Sequence, residues 1–399
     1  MEGYIKEVVN SITPQLIDWR RELHRYPEVG FQEYKTATFI EEALRAMGLM
    51  PRRVAGTGVV VDIEGNQPGP VRAFRADIDA LPIQEIKPEG VSYISCHPGV
   101  AHLCGHDAHT AIGLGIAYVS AKLKDALAGT IRVFFQPAEE PTPSGAPQMI
   151  QAGVLEQVTY LYAVHVDPSL PVGVFGFREG ALNAAIDTLS LTVQGEKTVH
   201  SSRPHEGQDT PWILHQIVNS WYQIVGRVHD VRHPAVWVMT YMKAGGDALN
   251  VIPDEATVGG TLRTTNPADR QRLEERFKAV ADALAEAYGT KAEVTVHRGA
   301  PPVMNHPDLI RHVRALAIAL WGSSAVYDIP MVSMGGEDFA YYLEHVPGAM
   351  IRVGVASTPE TRYKVHDARF DLDERALPLA VELMSNALFK RPEWISEEN

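Results

Sequence analysis

Cysteine is scarce in this sequence, with only Cys96 and Cys104 among 399 residues. That scarcity excludes a disulfide-built scaffold and leaves Cys104 available as a thiolate. Positive charge is also in deficit: the net charge is −13. With no basic run or arginine-rich helix, nucleic acid and anionic membranes are poor partners. No apolar run approaches a membrane span, and the opening MEGYIKEVVNSITPQ lacks the basic-then-apolar pattern of a secretory signal. The expectation is a cytoplasmic protein. Low-complexity tracts and internal repeats are missing too. What remains is ordinary globular composition, 45% hydrophobic and 21% charged, in a chain long enough for two domains.

One stretch is unusually rich in metal-binding chemistry. SYISCHPGVAHLCGHDAHT, residues 92–110, holds His97, His102, His106, His109 and both cysteines. Imidazole and thiolate bind borderline-soft divalent cations, and Cys104-Gly105-His106 sets one of each a residue apart around a glycine that permits a turn. A histidine alone is more often a structural or surface residue, so the rest of the chain must decide.

Periodicity places a helix start at Thr13-Pro14, a helix over residues 33–47 and another over 111–123. Strands are expected at 59–63, 71–74, 131–135 and 160–164. Three of them run into chemistry: Asp77 and Asp79 follow one, Glu139 and Glu140 the next, and His165 the last. In an open α/β sheet, sites are built at that edge. Between residues 186 and 299 the order becomes β-α-β-β-α-β, the split βαβ arrangement, and the first pattern then resumes. The fold class expected is α/β. A discontinuous domain, 1–185 and 300–399, has helices around a mixed, mostly parallel sheet, and carries an inserted ferredoxin-like domain, 186–299.

Adjacent glutamates at the end of a buried strand repel each other unless a cation sits with them. With Cys104, His106 and His165, the pair Glu139-Glu140 offers the mixed N, O and S donors suited to zinc or manganese.

At these residues the chain resembles the metal-dependent amidohydrolases that include aminoacylases, hippurate hydrolases and auxin-conjugate hydrolases, within the larger aminoacylase and carboxypeptidase superfamily. The resemblance runs through Leu23-His24, Pro27-Glu28-Val29-Gly30-Phe31, Arg75-Ala76-Asp77-Ile78-Asp79-Ala80-Leu81-Pro82, Cys104-Gly105-His106-Asp107-Ala108-His109-Thr110 and Phe135-Gln136-Pro137-Ala138-Glu139-Glu140. It continues at Asn250-Val251-Ile252-Pro253, Gly260-Thr261-Leu262-Arg263 and Gly336-Glu337-Asp338-Phe339.

The resemblance implies a two-metal hydrolase, with zinc or manganese first and cobalt or nickel as alternatives. Its ligands map onto Cys104, His106, Glu140, His165 and His366, and its general base onto Glu139. Asp79 and Asp107 match carboxylates that orient ligand imidazoles. The insert would act as a lid and dimerisation domain, supplying an oxyanion-stabilising histidine across the interface of a homodimer or larger homo-oligomer. His200 is the match and His205 the second candidate, because the approach 195–199 is one residue longer than the family's. Asn250, Arg263 and Gly336 match substrate-binding positions, the arginine as a fork for a carboxylate. His24, His109 and His345 are read as structural or surface residues. The activity implied is hydrolysis of an N-acyl or N-aroyl amino acid, a small-molecule substrate. The alternatives are a carboxypeptidase or dipeptidase of the same superfamily, a cysteine hydrolase using Cys104, and a non-catalytic metal-binding protein.

Overall fold

The computed structural model describes residues 1–88 and 90–392. The first helix, Glu2–Arg25, begins well before Thr13-Pro14 and carries Pro14 inside it. An interior proline costs about 3 kcal/mol. Here the unbroken stripe Ile5, Val9, Ile12, Leu16 and Leu23, all buried, outweighs that cost. The helix expected over 111–123 likewise starts earlier, as His106–Lys122, right after Gly105. Its first turn looks loop-like in sequence because it is polar, but those side chains bond to protein rather than to water.

Eight strands form one sheet in the order Arg52–Val54, Gly58–Glu64, Ala128–Gln136, Gln67–Asp77, Val158–Pro171, Gly348–Ala356, Phe175–Phe177, Val326–Asp328. The central neighbours from Ala128–Gln136 to Gly348–Ala356 are parallel, and antiparallel pairings flank them. The strands are buried almost throughout, as parallel strands covered by helices require. The helices Glu2–Arg25, His106–Lys122 and Ala376–Phe389 pack on one another around the core built by Phe74, Val133, Phe135, Ile116 and Met384. The strand expected to end at His165 continues to Pro171, because its partner Gly348–Ala356 pairs with it as far as Ala356. His165 is therefore fixed within the ladder.

The chain separates into two compact units, one of Met1–Gly180, Met304–Met331 and the chain from Asp338 on, the other of Ala181–Val303 and Val332–Glu337. The expected boundaries 186 and 299 lie a few residues inside the second unit, which also takes the short segment Val332–Glu337. That unit has a four-stranded antiparallel sheet, ordered Ala235–Ala244, Glu255–Thr264, Ala185–Gln194, Lys291–Arg298, with the helices Thr210–Gln223 and Pro267–Ala287. Alternating burial along Ala185–Gln194 turns Leu189, Leu191 and Val193 into a core. Trp221 stacks on Phe277 there, with ring centroids 4.6 Å apart. Asn266 caps the second helix by accepting from the Ala268 and Asp269 amides, as its place before Pro267 predicts. Among the described residues no helix is long and apolar enough to cross a membrane.

Candidate metal centre

The parallel register brings Asp77 opposite Gln136, and Arg75 opposite Ala163, so the ends of neighbouring strands deliver Asp77, Glu139 and His165 to one edge. Gly105 then turns the chain with φ +90°, and a Cβ on it would lie 2.4 Å from Val166 Cγ2. Both facts require glycine. The turn sets Cys104 and His106 beside His165.

His106 Nδ1 lies 2.9 Å from the Asp79 carbonyl oxygen and 3.1 Å from Asp79 Oδ1. Both can only accept, so Nδ1 donates and Nε2 is left for a cation. That Nε2 is buried without a hydrogen-bond partner, and so is Glu140 Oε1. His165 repeats the arrangement: Nδ1 donates to the Val166 carbonyl at 2.8 Å, and Nε2 faces Cys104 Sγ at 3.5 Å. His366, half exposed, points Nε2 at Glu140 Oε1 from 3.3 Å. Among the described residues five overlapping groups have ligand atoms close enough to share an ion: Cys104, His106 and His165; Cys104, Glu140 and His366; His106, Glu139 and Glu140; and, outside the expected set, Asp77, His106 and His109, and Glu139, Glu337 and Asp338. A donor set of thiol, imidazoles and carboxylates, with orphaned buried atoms facing inward, fits divalent cations.

The electrostatics agree. Burial pushes the Cys104 thiol well above its ordinary value. Burial would lower His106, but the Asp77 carboxylate and the bond to Asp79 reverse this and hold it well above the usual histidine range. His165 is depressed by burial and by the positive charge of Arg352. A cation bound there would displace protons from these groups.

Glu139 sits at the lip of this cluster, Oε2 3.9 Å from His106 Nε2, with Oε1 accepting from the Asp338 amide at 3.4 Å. Its turn is braced from beneath: the Ala138 amide donates to Glu33 Oε1 at 2.8 Å, and Thr57 Oγ1 to Glu33 Oε2 at 2.7 Å. Asp79 also receives the Glu140 amide at 3.1 Å, so one carboxylate holds two of the expected ligands. Asp107 instead turns away from the ligand imidazoles, toward Arg20 and His24.

In the second unit His200 is exposed. Its Nδ1 lies 2.8 Å from Ser202 Oγ and its Nε2 3.4 Å from Asn250 Nδ2, across the short ladder that pairs His200 with Val251. His205 lies in the exposed turn Pro204–Glu206. Arg263 Nη1 donates to the Met334 carbonyl, and a Cβ on Gly336 would press on Ile186, so these two positions share one corner of that unit.

Several buried residues were not singled out for the site by sequence. His109, read as structural or surface, is buried; its Nδ1 meets Asp77 Oδ1 at 2.7 Å and its Nε2 accepts the Val166 amide at 3.0 Å, pinning the peptide after His165. His24 is buried between Asp107 and Glu85. Arg20 carried a visible signal, a charged residue on the apolar stripe four positions after Leu16. Cys96 and His97 are loop residues, and His102 is a buried neutral ring, pushed by burial to about 4.

The profile of Peptidase family M20/M25/M40 matches residues 73–390. The N-acetyl-L-cysteine deacetylase of Bacillus subtilis is 38% identical over 370 residues, 92% of this chain and 86% of its own. Thermostable carboxypeptidase 2 of Saccharolobus solfataricus is 36% identical over 380 residues, 94% of this chain and 95% of its own. Among solved structures, the YXEP protein of Bacillus subtilis, described as a dinuclear metal-binding peptidase, superposes with a TM-score of 0.84 at 34% identity, covering 95% of this chain and 98% of its own. The chain belongs to Peptidase family M20/M25/M40 and is a metal-dependent hydrolase of C–N bonds.

Proposed function

We propose that this enzyme hydrolyses the amide bond of N-acyl or N-aroyl amino acids, releasing a carboxylic acid and an amino acid. The observation that carries the proposal is the convergence of unpartnered His106 Nε2 and Glu140 Oε1 with Cys104, His165 and His366 beside a half-buried Glu139. Cys104, His106, Glu140, His165 and His366 would hold two divalent ions, zinc or manganese before cobalt or nickel. When bound, such ions supply Lewis acidity and lower the pKa of water toward about 7. Glu139 takes the proton from the attacking water as the C–O bond forms and an oxyanion develops, then gives it to the leaving nitrogen as the C–N bond breaks. Asp79 keeps His106 in the tautomer that presents Nε2. His200, with His205 as second candidate, would stabilise the oxyanion from a second copy of the chain, and Arg263, Asn250 and Gly336 would receive the substrate's carboxylate end. An edge strand, Ala235–Ala244, that exposes Val236, Val238, Tyr241 and Met242 supports a homodimer. The free cysteines suit a cytoplasmic setting.

The likeness to an N-acetyl-L-cysteine deacetylase favours the acyl-amino acid substrate, and the likeness to a carboxypeptidase supports the second reading, peptide hydrolysis. A panel of N-acetyl, N-benzoyl and indole-acyl amino acids beside unblocked dipeptides separates them. Turnover confined to dipeptides would overturn the first reading. Cysteine catalysis is disfavoured because burial holds Cys104 as a thiol. Chelation decides that point: removal of metal abolishes activity and Mn²⁺ or Zn²⁺ restores it, whereas a cysteine hydrolase would be indifferent.

A further inference from the structure

On the two-ion reading of the centre, Arg20 stands behind two of the segments that carry its ligands. Arg20 is fully buried on the apolar stripe of the helix Glu2–Arg25. A guanidinium loses much hydration when buried, so it persists there only where carboxylates replace that water. Three do so, from two distant segments. Nε donates to Asp107 Oδ2 at 2.9 Å, Nη2 to Asp371 Oδ1 at 3.0 Å, and Nη1 to Glu374 Oε1 at 3.4 Å. The Tyr93 ring covers the guanidinium with its centroid 4.7 Å away.

These acids flank the proposed ligands. Asp107 directly follows His106 and lies three residues after Cys104; its Oδ2 also meets His24 Nδ1 at 2.7 Å, and His24 Nε2 meets Glu85 Oε2 at 3.0 Å. Asp371 and Glu374 belong to the loop that begins with His366, whose backbone is left-handed at φ +69° and whose amide donates to the Leu103 carbonyl at 2.7 Å. The same loop is tied to Lys87, which donates to the Phe370 carbonyl at 2.7 Å and lies 3.2 Å from Asp371 Oδ2, and to the Ile86 amide, which donates to the Ala368 carbonyl. Without Arg20, Asp107 would keep His24 and Asp371 would keep Lys87, but the guanidinium bridge from the loop to the segment that carries Cys104 and His106 would be lost.

We propose that Arg20 is a positioning residue for the metal centre. It clamps the His366 loop against Cys104–Asp107 and thereby sets the affinity for the cation shared by Cys104, Glu140 and His366, while leaving the group of Cys104, His106 and His165 intact. His366 is the half-exposed ligand, and the clamp holds the loop that carries it.

The test is metal binding by the full chain. Metal-free protein is titrated with Mn²⁺ and with Zn²⁺ by calorimetry, with bound metal counted after dialysis, for wild type, Arg20→Lys, Arg20→Met and Asp371→Asn. Arg25→Gln is the control, since Arg25 lies on the same helix but pairs with Glu22 rather than with the loop acids. Outer-shell partners are typically worth about 10–100-fold in metal affinity. The expected result is one ion bound as in wild type and the other weakened by about that factor in Arg20→Lys and Asp371→Asn, with Arg25→Gln unchanged. Should Arg20→Met fail to fold, the other two variants carry the test. A merely structural role would lower thermal stability while both affinities stay within about threefold of wild type, and that result overturns the inference. A wild type that binds fewer than two ions overturns the two-ion reading instead.

Discussion

Replacing Gly105 by alanine tests the geometry of the centre most directly. Two costs follow from the structure. The residue holds φ +90°, and a left-handed conformation costs an L-residue about 1–2 kcal/mol. The new Cβ would also stand 2.4 Å from Val166 Cγ2, far inside a normal carbon contact, and overpacking of this kind costs about 1–3 kcal/mol. Together they predict a loss of about 2–5 kcal/mol, or on the order of 10 °C in the melting temperature of the metal-free protein. The two costs can be separated. In Gly105→Ala with Val166→Ala the clashing methyl is gone but the left-handed strain remains. Urea denaturation of the four proteins in the cycle should return a coupling energy of about 1–3 kcal/mol favouring the double variant. If the two substitutions simply add, to within about 0.5 kcal/mol, the clash is not what requires glycine here and the reasoning is refuted.

Glu139→Gln should keep both metals and the fold while lowering kcat by about 10²–10⁴-fold, as loss of a general base does; metal analysis beside steady-state kinetics checks it, and near-normal turnover would remove Glu139 from that role. Asp107 is held far below its ordinary value: burial alone would raise it, and Arg20 with His24 more than reverses that. A carboxyl depressed on folding contributes stability above its unfolded value of about 3.9 and loses it as pH falls toward the folded one. The urea midpoint of the metal-free protein should therefore drop below about pH 4, and Asp107→Asn should flatten that dependence. His106 is raised on folding by Asp77 against the pull of burial, so its contribution is complete below its unfolded value of about 6.5 and is lost as pH rises through the folded one. Loading with Mn²⁺ in weak buffer should release protons, and a titration without release would contradict this assignment.

Sequence by itself determined much of this protein. Alternating and helical apolar spacing located the main strands and helices, because burial of one face dictates that spacing whatever the partner. Cys104-Gly105-His106 and Glu139-Glu140 stood out in sequence as candidate ligands, since soft donors are clustered there and adjacent buried acids are costly without a cation. Tertiary structure decided what depends on partners far along the chain. The helix Glu2–Arg25 runs through Pro14 because its buried stripe outweighs a local breaker, and the polar first turn of His106–Lys122 is helical because Asp79, Asp77 and Arg20 satisfy its side chains. The roles of Arg20, His24 and His109 were hidden for the same reason: each is defined by acids or amides that lie tens to hundreds of residues away. Spacing reports which face is buried, but only the folded chain shows which carboxylate waits there.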